Sequence, residues 1–307
     1  MRFINISQLN KIIKNDAAAF IEKTNKEYMK KIGAVASSIA DNIKEKPLIL
    51  LSGPSGSGKT TTAYRIKDAL NEIGVNSHIV SMDNYFITKG KIDEKSVPRD
   101  EEGNIDLESP YRVDISLFQE HMKLMSEGCE VDVPVFDFIT QEYSSFTPLT
   151  RKKDEIIIIE GIHALNPEVT GETEKIASCV YVSVRTRLKT DNGDILHPSQ
   201  VRLMRRLIRD RLFRGRKFDD IFAMFSSVQR GENLYIMPHK HRADYDIDTF
   251  IDYEAPVYKS IIYDELKSHK ETAFPDLRTM TLRYLKELEP LSPKLVPENS
   301  LIKEFIG

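Results

Sequence analysis

Leu48-Ile49-Leu50-Leu51-Ser52-Gly53-Pro54-Ser55-Gly56-Ser57-Gly58-Lys59-Thr60-Thr61 is an apolar run that ends in Gly-x-x-x-x-Gly-Lys-Thr. Four consecutive apolar residues closed by glycine read as a buried strand, and the pattern from Thr61 to Ile73 reads as a helix. Glycines in such a loop let the backbone curl so that successive N–H groups face an anion, and the helix that follows adds the positive end of its dipole. The stretch is therefore a triphosphate-binding loop, formed by Gly53, Pro54, Ser55, Gly56, Ser57, Gly58, Lys59, Thr60 and Thr61. Lys59 is placed to reach the β and γ phosphates, and the Thr60 hydroxyl to meet Mg2+. A glycine-rich turn with a chance lysine is the bland alternative, and the complete motif between a strand and a helix argues against it.

The chain has 307 residues, 40% of them apolar, enough for one large α/β domain or two small ones. A net charge of −3 argues against a general nucleic-acid binder, whose affinity rests on a broad positive surface. Cys129 and Cys179 have no metal-ligand spacing and read as reduced core thiols. No stretch approaches the roughly 18 apolar residues of a membrane span, and the first residues lack an apolar signal core, so no membrane contact and a cytoplasmic location are expected.

Apolar residues at helical spacing from Ile4 to Lys44 predict an N-terminal helical extension over residues 1–45, with Asn15-Asp16 as a helix start. Strands are expected at Pro47 to Leu51, Ser77 to Met82, Glu155 to Ile159, Cys179 to Val184 and Ile247 to Ile251. Alternation with helices predicts an α/β fold: a mostly parallel sheet with helices on both faces, with ligands at the carboxyl ends of the strands. The α/β domain then spans residues 46–307, with the basic segment of about 201–217 inside it. Lys89 to Pro110 reads as a long surface loop of the functional kind, and Tyr258 to His269 and Asp276 to Leu288 as helices.

Polar residues just after strands are the chemical candidates. Asp83, after the second strand, is placed to take a proton from an acceptor hydroxyl near Mg2+, the alternative being a helix cap. Glu160 follows Ile156-Ile157-Ile158-Ile159 in a Walker-B arrangement, able to hold Mg2+ through water, while His163 beside it reads as a packed neighbour. Thr60, Glu160 and Asp83 are thus the Mg2+ candidates. The segment from about 201 to 217 is the most basic of the chain. On a helix, Arg202, Arg205, Arg206 and Arg209 share a face, which suits a lid whose movable arginines close over phosphate oxygens. A solvated basic face and a nucleic-acid contact are the alternatives. Asp100-Glu101-Glu102-Gly103 matches a GTPase motif by chance, and His239-Lys240-His241-Arg242 reads as a solvated loop.

Together these motifs resemble the uridine kinase and phosphoribulokinase family of P-loop kinases, in its bacterial nucleoside kinase-like branch. The resemblance rests on the phosphate loop, Asp83-Asn84-Tyr85-Phe86, Pro134-Val135-Phe136-Asp137-Phe138, Glu160-Gly161-Ile162-His163 and the arginine-rich segment. The stretch Val296 to Gly307 is also similar to that branch. It implies ATP- and Mg2+-dependent transfer of a γ-phosphoryl group to a small acceptor, foremost a nucleoside 5′-hydroxyl. A sugar or sugar-phosphate kinase and a catalytically weak nucleotide-binding module are the alternatives. It further implies that Asp83, Lys59, Arg206 and Arg209 are catalytic and that Arg206 also contacts the nucleotide. Asp83, Phe86, Asp106, Phe136, Gln141, Arg209, Arg214 and Arg216 would meet the acceptor. Phe136, Gln141 and Met224 depart from the tyrosine, histidine and glutamine of uridine kinases. A homo-oligomer is expected.

Overall fold

The computed structural model describes residues 2–91, 98–99, 103 and 105–307. Asp100, Glu101, Glu102 and Asn104 lie outside the described residues. In chain order the elements are β1 (Phe3–Asn5), α1 (Ile6–Ala40), β2 (Leu48–Ser52), α2 (Lys59–Glu72), β3 (Ser77–Ser81), α3 (Ile115–Glu127), β4 (Val131–Asp137) and β5 (Glu142–Leu149). They continue with β6 (Ile156–Glu160), α4 (Pro167–Thr170), β7 (Ala177–Ser183), β8 (Arg187–Lys189), α5 (Pro198–Arg214), α6 (Phe218–Gly231), β9 (Tyr245–Asp248), α7 (Glu254–Ser268), α8 (Pro275–Glu287) and α9 (Lys303–Ile306).

The main sheet has the order β3-β6-β2-β7-β9, and every neighbouring pair is parallel. Strands covered on both faces have no solvent side, which is why β2 and β6 are runs of Leu and Ile without polar alternation. Ile49, Leu51, Ile156, Ile158, Val180 and Val182 point to one core with residues of α1, α2, α5 and α7. Leu48, Leu50, Ile157, Ile159, Cys179 and Tyr181 point to the other, with residues of α3 and β4. The five expected strands are present, with small shifts at their ends.

The N-terminal segment departs from a plain helix. Phe3–Asn5 is a strand paired parallel with Arg187–Lys189. Asn5 then caps α1 by accepting from the Gln8 N–H. Within α1 the backbone breaks at Asp16 (φ −157°, ψ 89°), whose carboxylate accepts from the Ala19 N–H at 3.0 Å. Asn15-Asp16 is thus a restart inside a bent element. Beyond it Ile21, Tyr28, Ile32, Ala36 and Ile39 are buried in the same core as β2 and α2, and Tyr28 Oη lies 3.0 Å from Thr62 Oγ1 of α2.

One further expectation is corrected, and one element is new. Cys129 is exposed, because it follows the Gly128 C-cap of α3 at the surface, whereas Cys179 is buried in β7. The antiparallel hairpin β4–β5 went unpredicted, since its second strand, Glu142–Leu149, is largely exposed and carries no apolar alternation. Among the described residues no helix is long and apolar enough to cross a membrane.

Candidate active site

The phosphate loop is built tightly against its neighbours. A Cβ on Gly53 would stand 2.1 Å from the Val182 carbonyl oxygen, so only glycine lets β2 leave the sheet there. Gly58 has φ 86° at the start of α2. Ser57 N–H donates to Pro54 O at 3.1 Å, and Lys59 Nζ lies 3.4 Å from the same carbonyl. Ser57 Oγ is buried with no hydrogen-bond partner among the described residues, and Thr60 is exposed. A buried, unpaired hydroxyl in a loop that opens a helix suits the oxygens of a polyphosphate.

Two carboxyls face this loop from the ends of neighbouring strands. Asp83 sits in the short 3₁₀ turn Met82–Tyr85 after β3, and Glu160 ends β6, where Ser81 Oγ donates to its Oε1 at 3.0 Å. Burial pushes both carboxyls up, while Lys59 pulls each back toward ionisation. Glu160 is pushed further by the charge of Asp83. A cation between them would relieve that repulsion. Among the described residues no set of three or more His, Cys, Asp or Glu side chains forms a metal cage. Two carboxyls and the Thr60 hydroxyl fit Mg2+, which keeps most of its waters. His163 is buried edge-on against Tyr235, and burial pushes its imidazole down to about 4.

Helix α5 brings the arginines, and it does not behave as one uniform stripe. His197 caps it, with Pro198 in its first turn and Gly215 beyond its end. Arg202, Arg205 and Arg206 are all buried, and all three touch the phosphate loop. Arg202 Nη1 donates to Ser55 O at 3.1 Å and pairs with Glu232. Arg205 Nη1 donates to Gly56 O at 3.1 Å, and its Nε lies 2.7 Å from Glu254. Burial opposes the charge of Arg205, but Glu254 more than offsets this and holds its pKa above the usual value. Arg202 and Arg205 therefore brace the loop from behind, contrary to the expectation that they close over phosphates. Leu203, Leu207 and Ile208 are buried as well, so this helix has little solvated face.

Arg206, Arg209, Arg214 and Arg216 instead line the cavity in front of the loop. One carboxylate gathers them. Asp210, fully buried, lies 2.8 Å from Arg209 Nε, 3.2 Å from Arg214 Nη1, 3.3 Å from Arg216 Nη1 and 3.6 Å from Arg206 Nη2. Burial opposes ionisation of Asp210, yet these guanidiniums outweigh it and hold its pKa below the usual range. The cavity measures about 690 Å³ and is also lined by Lys59, Thr60, Asp83, Phe86 and Glu160.

A model of the Phosphoribulokinase / Uridine kinase family matches residues 48–255. The chain belongs to this family. Uridine kinases from Staphylococcus aureus strains JH9 and Newman are 30% identical to it over 203 residues, covering 66% of this chain and 87% of theirs. The structure of a possible uridine kinase from Bacillus stearothermophilus superposes with a TM-score of 0.50 at 18% identity, covering 72% of this chain and 100% of its own. At that identity the likeness speaks for the fold, the doubly covered parallel sheet of P-loop kinases. The relatives that it matches are named kinases, so this chain is a kinase by family.

Three of the expected acceptor residues, Asp106, Phe136 and Gln141, are not among the residues that line the cavity. Asp106 is buried and accepts from Tyr235 Oη at 2.9 Å and Glu108 N–H at 3.1 Å, with Arg230 at 3.1 Å. Phe136 is buried beneath Phe86 and Phe138, at 5.7 and 5.3 Å between ring centroids. Gln141 sits at the hairpin turn with φ 59°, its amide donating to Phe138 O. Met224 does line the cavity, 3.2 Å from Arg216 Nη1. Sequence reading missed Glu108, Phe138 and Glu304, which line it too. Glu108 and Phe138 leave no periodic signal because they come from irregular segments. The segment His239-Lys240-His241-Arg242 is a half-packed 3₁₀ helix, with Arg242 paired to Glu174 and Lys240 Nζ 5.3 Å from the Tyr181 ring.

Proposed function

We propose that this chain transfers the γ-phosphoryl group of ATP to a hydroxyl of a small acceptor, foremost the 5′-hydroxyl of a nucleoside. The observation that carries the reading is the convergence of Lys59, Asp83, Glu160 and four arginines on one cavity beside the phosphate loop. The acceptor oxygen forms its bond to the γ phosphorus as the bond to the β–γ bridging oxygen breaks, and ADP leaves. Asp83 takes the acceptor proton, and its partial desolvation makes it a better base than a surface carboxylate. Lys59 and Arg206 neutralise charge on the phosphate oxygens, and Arg209, Arg214 and Arg216 orient the acceptor side. Bound Mg2+ would supply charge neutralisation between phosphate oxygens, held by Thr60, Glu160 and Asp83.

A second reading, a sugar or sugar phosphate as acceptor, is favoured by the cavity lining, which includes Arg209, Arg214 and Arg216 but neither Phe136 nor Gln141. Phosphate-bearing acceptors suit guanidinium groups, whose planar forks bind oxyanions in pairs. An ADP-release assay across nucleosides, sugars and sugar phosphates separates the two. ATP binding without turnover on any acceptor would favour the regulatory module and sink the kinase reading.

A further inference from the structure

The segment 301–307 sits on the phosphate loop. Glu304 Oε2 accepts from the Thr61 N–H at 3.2 Å and from Thr61 Oγ1 at 2.7 Å. Leu301 lies against Gly58, where an added Cβ would come within 3.1 Å of its side chain. Phe305 is fully buried, with the Arg205 guanidinium 5.0 Å from its ring centre. Ser300 Oγ ties the start of the segment to Tyr253 Oη at 2.7 Å.

Thr61 belongs to the first turn of α2, whose N–H groups have no partner within the helix. Those donors are the ones a phosphate-binding loop turns toward the oxygens of its ligand. Here the Thr61 pair is already taken by an anion supplied by the chain itself. Glu304 also lines the cavity that holds Lys59, Thr60 and Asp83, so its carboxylate stands inside the anion site. A fixed carboxylate and a phosphate cannot share one pair of donors without strong like-charge repulsion.

We propose that Glu304 is an intrinsic competitor for the nucleotide: its carboxylate occupies the Thr61 donors in the free enzyme and must swing away before a triphosphate can use them. This rests on the reading of residues 53–61 as a triphosphate site. The free protein then exists mainly in a closed form, and apparent nucleotide affinity is reduced by the fraction that is open. Leu301 and Phe305 hold the segment down through apolar contacts, and residues 303–307 loosen as the carboxylate leaves.

The test is ATP titration calorimetry on the full chain and on Glu304→Ala and Glu304→Gln, with folding of each checked by thermal denaturation. Glu304→Ala is expected to bind ATP about tenfold more tightly, the scale of one competing charge-assisted contact, with Glu304→Gln between it and the parent. In the parent protein, hydrogen exchange over 303–307 is expected to quicken when ATP is added. Equal or weaker ATP binding by Glu304→Ala, or slower exchange of 303–307 with ATP, overturns the inference while leaving the triphosphate site intact. If folded parent and variants all fail to bind ATP, the inference and the triphosphate reading fall together.

Discussion

Arg206 Nη1 donates to Ser55 Oγ at 2.8 Å, so the arginine helix and the phosphate loop are joined by a side chain that also faces the cavity. Burial pushes the Arg206 guanidinium down to about 10, and Asp210 opposes that fall. It remains charged at neutral pH. Arg206→Ala is expected to lower kcat/KM by roughly 10²–10³-fold, the loss typical of one preorganised charge-stabilising donor. Arg206→Lys should recover little, because a point charge cannot reach Ser55 and phosphate together. Steady-state kinetics at varied ATP would check both, and full activity in the lysine variant would refute the argument.

Asp83→Asn keeps the shape of the site and removes its proton acceptor. A loss of about 10²–10⁴-fold in kcat is expected, with ATP affinity little changed. Calorimetry paired with single-turnover kinetics distinguishes this from a binding defect, which would appear as weaker ATP binding.

Asp210 is the hub of the cavity arginines, although no predicted role fell on it. Asp210→Asn leaves Arg206 buried without its balancing charge, and a destabilisation of about 3 kcal/mol is expected. That figure is set toward the lower end because Arg214 and Arg216 reach solvent. Urea unfolding measures the loss, and KM for the acceptor should rise with it. An unchanged unfolding midpoint would show that the arginines do not depend on this carboxylate.

His163 gives the protein an acid limb. Burial pushes its imidazole down to about 4 from an ordinary 6.5, so below pH 6.5 the unfolded chain binds the proton first. Stability from this group is complete above pH 6.5, falls as pH drops and levels off below about 4, a total of about 3 kcal/mol. His163→Gln should flatten that slope in urea unfolding followed from pH 7 to pH 4. A parallel slope in the variant would assign it elsewhere.

Ile32 of α1 is fully buried in the core shared with β2 and α2. Ile32→Ala is expected to cost ~2–5 kcal/mol and to shift one cooperative transition for the whole chain. Two separate transitions would instead mark residues 1–45 as an independent unit.

The phosphate-loop half of the candidate site was legible because its pattern is local. Gly53 to Thr61 is contiguous, and Asp83 and Glu160 each follow a strand whose apolar run is visible. The acceptor half was not. Asp210 stood in plain view in the arginine segment, but its partners come from successive turns of one helix and the loop beyond. Whether Arg205 faces a phosphate or Glu254 depends on where α7 begins, a long-range contact that no spacing rule carries. Phe136 was expected to meet the acceptor, whereas Phe138 is the ring of this block that lines the cavity. Phe136 lies within β4, whereas Phe138 lies just past its end at Asp137, where strand alternation no longer says which way a side chain faces.

The position of β2 at the middle of the sheet bears on how the chain is made. Its two partners begin at Ile156 and Ala177, so the strand that carries the phosphate loop has no ladder on either side until just over half of these 307 residues have been synthesised. Such distant pairing slows folding and leaves a run of leucine and isoleucine open to wrong partners meanwhile. Residues 48–52 are therefore the stretch that a nascent chain has most need to keep shielded, and α1, completed earlier and packing on the same core, is the first surface able to cover it.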